Sequence, residues 1–148
     1  SVSLTAPMNN FIDIALKGTQ PTCAQHTASG GIQSLMGCPP NTIVRGDMVY
    51  YRVKVLDRGR KLTISVNGRN SLYGEDVDLY VRRDAQPTPT MVIDEYASIT
   101  DCAGGCKSAT KGVNEYIEIN NPEVGDWHIL VNGHTFLKST YTLTVTLK

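Results

Sequence analysis

Apolar and polar residues alternate with a period of two along most of this chain. The run MVYYRVKVLD, residues 48–57, places Val49, Tyr51 and Val53 on one face. The last run, STYTLTVTLK, sets four apolar residues against a ladder of four threonines. Because side chains on a β-strand point alternately to its two faces, each such run predicts a strand with one apolar face. The same pattern occurs in FIDIALKG (11–18), KLTISVNG (61–68), VDLYV (77–81), NEYIEIN (114–120) and DWHILVNG (126–133).

Turn-forming residues separate these runs, and no segment of a dozen residues has the periodicity of a helix. The turn signals are NG at 67–68 and 132–133, DRGR at 57–60, PTPT at 87–90 and NNPEVGD at 120–126. Short strands with one apolar face predict two antiparallel sheets packed face to face, an all-β sandwich. We expect one domain over residues 1–148, with residues 19–42 as a Gly/Pro/Ser-rich excursion that lacks its own core.

Composition excludes several classes of function. Hydrophobic residues make up 41% of the 148 and charged residues 19%, which indicates a globular chain. Lys+Arg and Asp+Glu number 14 each, so no net charge attracts nucleic acid or an anionic membrane. No apolar run approaches the roughly 20 residues that span a bilayer. The chain begins at Ser1 without a charged-then-apolar leader, so we expect that a secretory signal, if the gene has one, has been removed or was never included.

Four cysteines fall into two local groups, which predicts the disulfides Cys23–Cys38 and Cys102–Cys106. The first would close a loop of about 15 residues and contribute on the order of 3 kcal/mol in the chain-entropy model. The alternative is a metal site that combines Cys23 with His26, although the second pair has no histidine nearby. Disulfides would indicate a secreted or cell-surface protein, because they persist in oxidising compartments.

The stretch GEDVDLYVRR, residues 74–83, concentrates acids at the start of a predicted strand. Asp76 and Asp78 share the face opposite the apolar one, and Glu75 and Asp84 lie near the two ends of the run. Calcium binds six to eight hard oxygen ligands, and closely spaced carboxylates near a turn can supply several. The structural alternative is that these acids pair with nearby arginines and turn amides.

Aromatic residues offer a second candidate surface. Trp127 shares its face with apolar neighbours, so we expect it in the core. Tyr50 and Tyr80 fall on faces opposite the apolar ones, and Tyr73 lies in a loop. A tyrosine ring with its polar tip suits the recognition of a polymer that has both apolar and hydroxyl-bearing surfaces.

Three motifs in the second half resemble the bacterial pre-peptidase C-terminal domain. They are the D-x-D-L-Y-V-R strand at 76–82, the P-x-x-G-x-W turn at 122–127 and the closing Y-x-L-x-V strand at 141–145. GDMVYYRVKV at 46–55 is similar to the earlier strand of that family, in which an acid precedes alternating aromatics. The resemblance covers residues 46–148.

This resemblance implies a jelly-roll-like sandwich attached to a secreted enzyme, often a protease, and not itself catalytic. The similar collagen-binding domains of clostridial collagenases bind calcium and an extracellular polymer. Among their calcium ligands, the acid before the aromatic strand has its counterpart in Asp47.

The function predicted from the sequence is binding of an extracellular polymer or glycan, with calcium as candidate cofactor and other domains of a host protein as partners. We expect neither nucleic-acid binding nor membrane insertion. Scattered histidines and the absence of a G-x-S-x-G, H-E-x-x-H or phosphate-loop motif argue against an enzyme. The alternatives are a structural or folding-assistance module of a larger secreted protein or surface assembly, and a calcium-dependent lectin.

Overall fold

The computed structural model describes residues 11–16, 18–24, 41–68, 76–88, 105–108, 114–133 and 139–148. Within these residues the chain forms ten strands and no helix. The strands are β1 Ile12–Asp13, β2 Thr22–Ala24, β3 Asn41–Ile43, β4 Met48–Val55, β5 Lys61–Gly68, β6 Val77–Arg83, β7 Cys106–Ser108, β8 Glu115–Asn120, β9 Gly125–Gly133 and β10 Ser139–Leu147. All seven runs with period-two alternation contain a strand, as predicted.

Two sheets pack face to face, which confirms the predicted all-β sandwich. The first sheet has the strand order β1-β4-β9-β6-β7. The second has the order β2-β10-β5-β8, with β3 also paired to β10. Every pair is antiparallel except β1 with β4, which run parallel over two residues. In the described residues no helix is long and apolar enough to cross a membrane.

The core lies between the inward faces of the two sheets and contains the apolar member of each alternating pair. From the first sheet, Val53, Leu79 and Ile129 are fully buried, and from the second, Ile64 and Leu143 are fully buried. Burial of this apolar area, at about 25 cal/mol per Å², is the main term that favours folding. The two short edge strands β2 and β3 join the same core through Ala24 and Ile43.

Trp127 fills the core near the turn between β8 and β9, as expected from its face. Its side chain is almost completely buried, and its Nε1 donates a hydrogen bond of 2.9 Å to the carbonyl of Glu123. The indole thus bonds to the backbone of the turn and packs against apolar side chains. It is not available to stack against a sugar at the surface.

The segment 19–42 is described only at its ends. β2 lies near its start and β3 near its end, and both pair with β10. Residues 25–40 lie outside the described residues, so the excursion and the single domain over 1–148 stay predictions.

A hydrogen bond between two buried tyrosines joins the two sheets through the core. The hydroxyls of Tyr51 on β4 and Tyr141 on β10 lie 2.9 Å apart and are buried. Burial raises the pKa of Tyr51 to about 12 and raises that of Tyr141 as well. Both hydroxyls therefore stay protonated at neutral pH, and each satisfies the other where water is excluded.

Removing both hydroxyls should cost less stability than the sum of the two single losses. Tyr51→Phe or Tyr141→Phe each removes the hydrogen bond between the two tyrosines, at an expected cost of about 1–3 kcal/mol. The double variant loses that same bond only once, so the two effects should not add.

Urea unfolding of the four proteins measures this coupling, and Tyr116→Phe on an exposed residue is the matched control. The control should change stability by less than about 0.5 kcal/mol. Additive effects of the two core substitutions would contradict the assigned hydrogen bond.

Candidate functional site

Three carboxylates converge where the edges of the two sheets meet. Asp76 directly precedes β6, Asp78 lies on β6 and Glu115 begins β8, and one oxygen from each lies within 4.8 Å of the others. Asp78 is 6% exposed and Glu115 is 2% exposed. We call these three residues the seam cluster.

Strand pairing explains why residues so distant in sequence meet at this point. β7 pairs with β6 only from Leu79 to Val81, so Asp78 lies beyond the end of that pairing. β8, at the edge of the second sheet, contacts both β6 and β7. Glu115 shares the inward face of β8 with Ile117 and therefore points toward the first sheet.

Ser108 holds Glu115 in place. Its hydroxyl on β7 donates a short hydrogen bond to Oε2 of Glu115, and the same Oγ accepts a hydrogen bond of 3.3 Å from the N–H of Tyr116. The serine thus links the edge strand of the first sheet to the start of β8. This contact fixes the orientation of the carboxylate.

The donor set of the seam cluster suits a hard cation. All three side chains offer carboxylate oxygens, with no nitrogen or sulfur, which favours calcium or magnesium over zinc. Calcium needs six to eight oxygens, so three carboxylates would supply part of the set. The predicted ligand Glu75 lies outside the described residues and adjoins Asp76 in the sequence.

Two of the predicted calcium ligands, Asp84 and Asp47, lie away from the seam cluster. Each accepts a hydrogen bond from a backbone N–H group. Asp84 is at the opposite end of β6 from Asp76, where Oδ1 accepts a hydrogen bond of 3.2 Å from the N–H of Asp126. Oδ2 of Asp47 accepts one of 3.0 Å from the N–H of Val44. The seven-residue strand β6 separates Asp84 from Asp76, so Asp84 is not part of the seam cluster.

Glu115 is the member of the cluster that sequence reasoning missed. The alternation in NEYIEIN puts this glutamate on the face of Ile117 and Ile119, which points into the protein. A charged residue at an inward strand position costs free energy unless it is compensated. A glutamate at an inward-facing strand position was therefore the sequence feature that could have pointed to Glu115.

Tyr80, a predicted ligand-binding residue, is not exposed on the surface. It lies on the outer face of the first sheet, as its alternation indicates, but it is only 3% exposed. Its neighbour in the sheet, Leu130 on β9, is fully buried as well. The middle of this outer face is therefore covered, which a period-two pattern does not reveal.

The other tyrosines have different environments. Tyr50 is half-buried beside Leu130; its hydroxyl donates to Sδ of Met48 at 3.7 Å, and burial raises its pKa. Tyr73 lies outside the described residues. Tyr116, which sequence reasoning did not single out, is 52% exposed on β8.

The outer face of the second sheet is open to solvent and rich in hydroxyl groups. Thr144 on β10 lies opposite Ser65 on β5, which lies opposite Tyr116 on β8. The next row pairs Thr146 with Thr63. These side chains are partly exposed, in contrast to the covered middle of the first sheet, and together we call them the hydroxyl face.

His128 points outward from β9, yet it is 1% exposed. The ring of Phe11 packs edge-on against it, with 5.7 Å between the centroids, and the guanidinium of Arg52 lies over Phe11. Desolvation lowers the pKa of His128, and nearby Arg52 lowers it further while Asp126 opposes the shift. The imidazole is an internal, neutral group and does not belong to the one group of three or more potential metal ligands found among the described residues.

Cys23 and Cys106 are both disulfide-bonded. Cys38 and Cys102 lie outside the described residues, so the pairing Cys23–Cys38 and Cys102–Cys106 stays a prediction.

The sequence profile of the bacterial pre-peptidase C-terminal domain matches residues 47–133. The chain belongs to this family. The match includes the strand motif at 76–82 and the turn motif at 122–127, so the resemblance seen in the sequence is confirmed. The closing strand β10 lies beyond the matched residues.

Two solved structures share the fold of this family member at low sequence identity. The crystal structure of Aeromonas hydrophila PliG, a periplasmic inhibitor of g-type lysozyme, aligns with a TM-score of 0.56 at 13% identity, over 94% of this chain and 96% of that one. Salmonella Typhimurium PliG aligns with a TM-score of 0.50 at 14% identity, over 94% and 98%. A search of curated protein sequences finds no significant match.

The buried His128 should make this pre-peptidase C-terminal domain less stable in mild acid. Its pKa is lower in the folded state than its ordinary value near 6.5, so the folded state disfavours the charged imidazole. The stability that the neutral form provides is therefore present above pH 6.5 and lost as the pH falls through the folded-state pKa.

Urea unfolding of the wild type and His128→Gln between about pH 7.5 and pH 5 measures this effect. The wild type should lose more stability across the interval than the variant. Equal losses in the two proteins would contradict the assignment.

Proposed function

We propose that this chain is a non-catalytic module that works outside the cytoplasm and binds an extracellular polymer or glycan, with calcium at the seam cluster. Family membership supports a modular role beside other domains of a host protein. Disulfide-bonded Cys23 and Cys106 support an oxidising compartment. The observation that carries the binding proposal is the exposed hydroxyl face.

The hydroxyl face offers a regular array of hydrogen-bonding groups. Neighbouring strands lie about 4.8 Å apart, and side chains two residues apart on one strand repeat at about 6.8 Å. The threonine and serine hydroxyls each donate and accept, so they can replace water around the hydroxyl or amide groups of a polymer. A threonine ladder also suits an ordinary exposed strand, so the array alone does not name the ligand.

Tyr116 adds an aromatic contact at the edge of this array. Its exposed ring presents an apolar surface and a polar tip beside Ser65. Tyrosine gives a large contact area at a small cost in conformational entropy, and aromatic residues often dominate binding free energy. The ring and the hydroxyl rows together match a polymer that exposes both C–H and polar groups.

The binding proposal predicts that Tyr116→Ala and Thr144→Val weaken retention on the polymer. We expect about a tenfold loss of affinity for Tyr116→Ala, since truncation of an aromatic residue that anchors a ligand costs more than about 1 kcal/mol. The measurement is a pull-down of the intact chain with insoluble collagen, chitin and cellulose, together with a glycan array.

The control is Met48→Ala, an exposed residue at the start of β4 in the other sheet. It should bind as the wild type does. No retention on any of these polymers, with or without calcium, would contradict the proposal, as would equal loss of binding in the control.

The support for a cation at the seam cluster is the convergence of three carboxylates. Two nearly buried carboxylates and a third within 4.8 Å repel one another when all are ionised. A divalent cation bound by Asp76, Asp78 and Glu115 would neutralise this repulsion and join the edges of the two sheets. It would stabilise the folded chain and leave the hydroxyl face free for the polymer.

Calcium should therefore raise the melting temperature of the wild type. Binding to the folded state alone stabilises by about 2.7 kcal/mol at a hundredfold excess over the dissociation constant. Asp78→Asn combined with Glu115→Gln keeps the side-chain shapes and should abolish the rise. Glu123→Gln, which alters an exposed acid outside the cluster, should retain it.

Thermal unfolding with calcium, magnesium and a chelator gives the readout. No rise in the wild type would contradict the calcium proposal. An equal rise in the double variant would place the ion elsewhere and contradict the assigned ligands.

A second candidate function is binding of a protein partner. The PliG structures, described as inhibitors of g-type lysozyme, align over nearly their whole length with this chain. Lysis of bacterial cells by a g-type lysozyme, measured with and without this chain, separates the two candidates. Inhibition would favour the protein partner, and unchanged lysis together with polymer retention would favour our proposal.

A further inference from the structure

A cleft of about 610 Å³ opens where β1 separates from β4. One wall is formed by residues 13–16, 18 and 19, and the other by the end of β4 with the turn that leads to β5. Its volume falls within the roughly 300–1,000 Å³ of binding sites for small ligands and short peptides. The apolar part of its lining is Ile14, Ala15, Leu16, Leu56 and Leu147.

The edge of β4 that faces this cleft has unused backbone hydrogen-bonding groups. The pairing with β1 ends with the N–H of Ile14, which donates to the carbonyl of Arg52 at 2.8 Å. Backbone groups two residues apart on a strand point to the same edge, so the N–H and C=O of Lys54 also face β1. Among the described residues no backbone group pairs with Lys54 on this edge.

An apolar side chain stands exposed beside this open edge. Leu56 is 79% exposed, the largest value among the exposed large hydrophobic residues described. Ile14 and Leu147 are nearly buried and form the deeper apolar part of the cleft. An occupant with a large apolar side chain would remove Leu56 from water.

Among the described residues, Lys54 is the charged residue of the cleft lining that has no ion pair. Asp13 pairs with Arg52 at 2.7 Å, Arg52 also lies 3.6 Å from Asp126, and Asp57 pairs with Arg60 at 3.1 Å. The charged residues that line the cleft are two acids and two bases, so the lining has no net charge. The Lys54 ammonium group is available to pair with an acidic group of an occupant.

We propose that this cleft binds an extended peptide that adds a strand to the open edge of β4. The peptide backbone pairs with the N–H and C=O of Lys54, and an apolar side chain packs against Leu56. An acidic residue of the peptide lies beside the Lys54 ammonium group. Strand addition at a sheet edge draws its affinity from the backbone hydrogen bonds and its specificity from pockets for alternate side chains.

The test measures binding of a synthetic peptide to the intact chain. A fluorescein-labelled peptide of sequence Gly-Leu-Val-Leu-Val-Glu is titrated with the protein, and fluorescence anisotropy reports binding. The wild type should bind it saturably. Leu56→Ala and Lys54→Met should each weaken binding by about tenfold, since both residues are exposed and contribute to the cleft more than to the fold.

Two controls separate strand addition from other kinds of binding. Met48→Ala lies at the far end of β4 and should bind as the wild type does. The same peptide N-methylated at alternate amides lacks donors for the sheet edge and should bind at least about tenfold more weakly.

Three outcomes would overturn the proposal. They are the absence of saturable peptide binding, equal affinity for the N-methylated peptide, and saturable binding of sodium decanoate in place of the peptide. The last would identify a site for apolar carboxylates that does not use the strand edge.

Discussion

The apolar faces of two amphipathic sheets can leave water only by packing against each other, and this constraint organises the whole chain. One face of each long strand therefore packs in the core, and the other face points outward. The Tyr51–Tyr141 hydrogen bond is a rare polar contact within that core, and the two hydroxyls satisfy each other. Any chemistry must therefore lie on the outer faces, at the edges of the sheets or in the loops.

The two outer faces differ, and this difference directs the functional proposals. Tyr80, Leu130 and His128 lie buried on the outside of the first sheet, whereas Tyr116 and the threonine rows of the second sheet meet solvent. A covered face contributes to stability, and an open one can meet a partner. Edges add two further features, the seam cluster between β6 and β8 and the cleft beside β4. Each is a place where strand pairing ends early.

Local pattern predicted the strands, the sandwich and the buried Trp127, because each depends on side-chain alternation within a single run. The family resemblance rested on short ordered motifs, which were also visible in the sequence. What failed depended on contacts between distant runs. The covering of Tyr80 and the arrival of Glu115 beside Asp78 are set by the order of strands in the sheets. The separation of Asp84 from Asp76 follows from the length of β6. That length could be read from the alternation of apolar and polar residues in the sequence.

We propose that the carboxylates which converge at the seam bind a cation between the edges of the two sheets. Buried carboxylates are costly unless a positive charge compensates them, and the oxygen-only donor set indicates which ions fit. X-ray diffraction from crystals grown with calcium, with anomalous differences recorded at long wavelength, tests this most directly. Our account predicts an anomalous peak between the carboxylates of Asp76, Asp78 and Glu115. A well-ordered crystal with no peak there, and with a lysine or arginine side chain between these carboxylates, would contradict it.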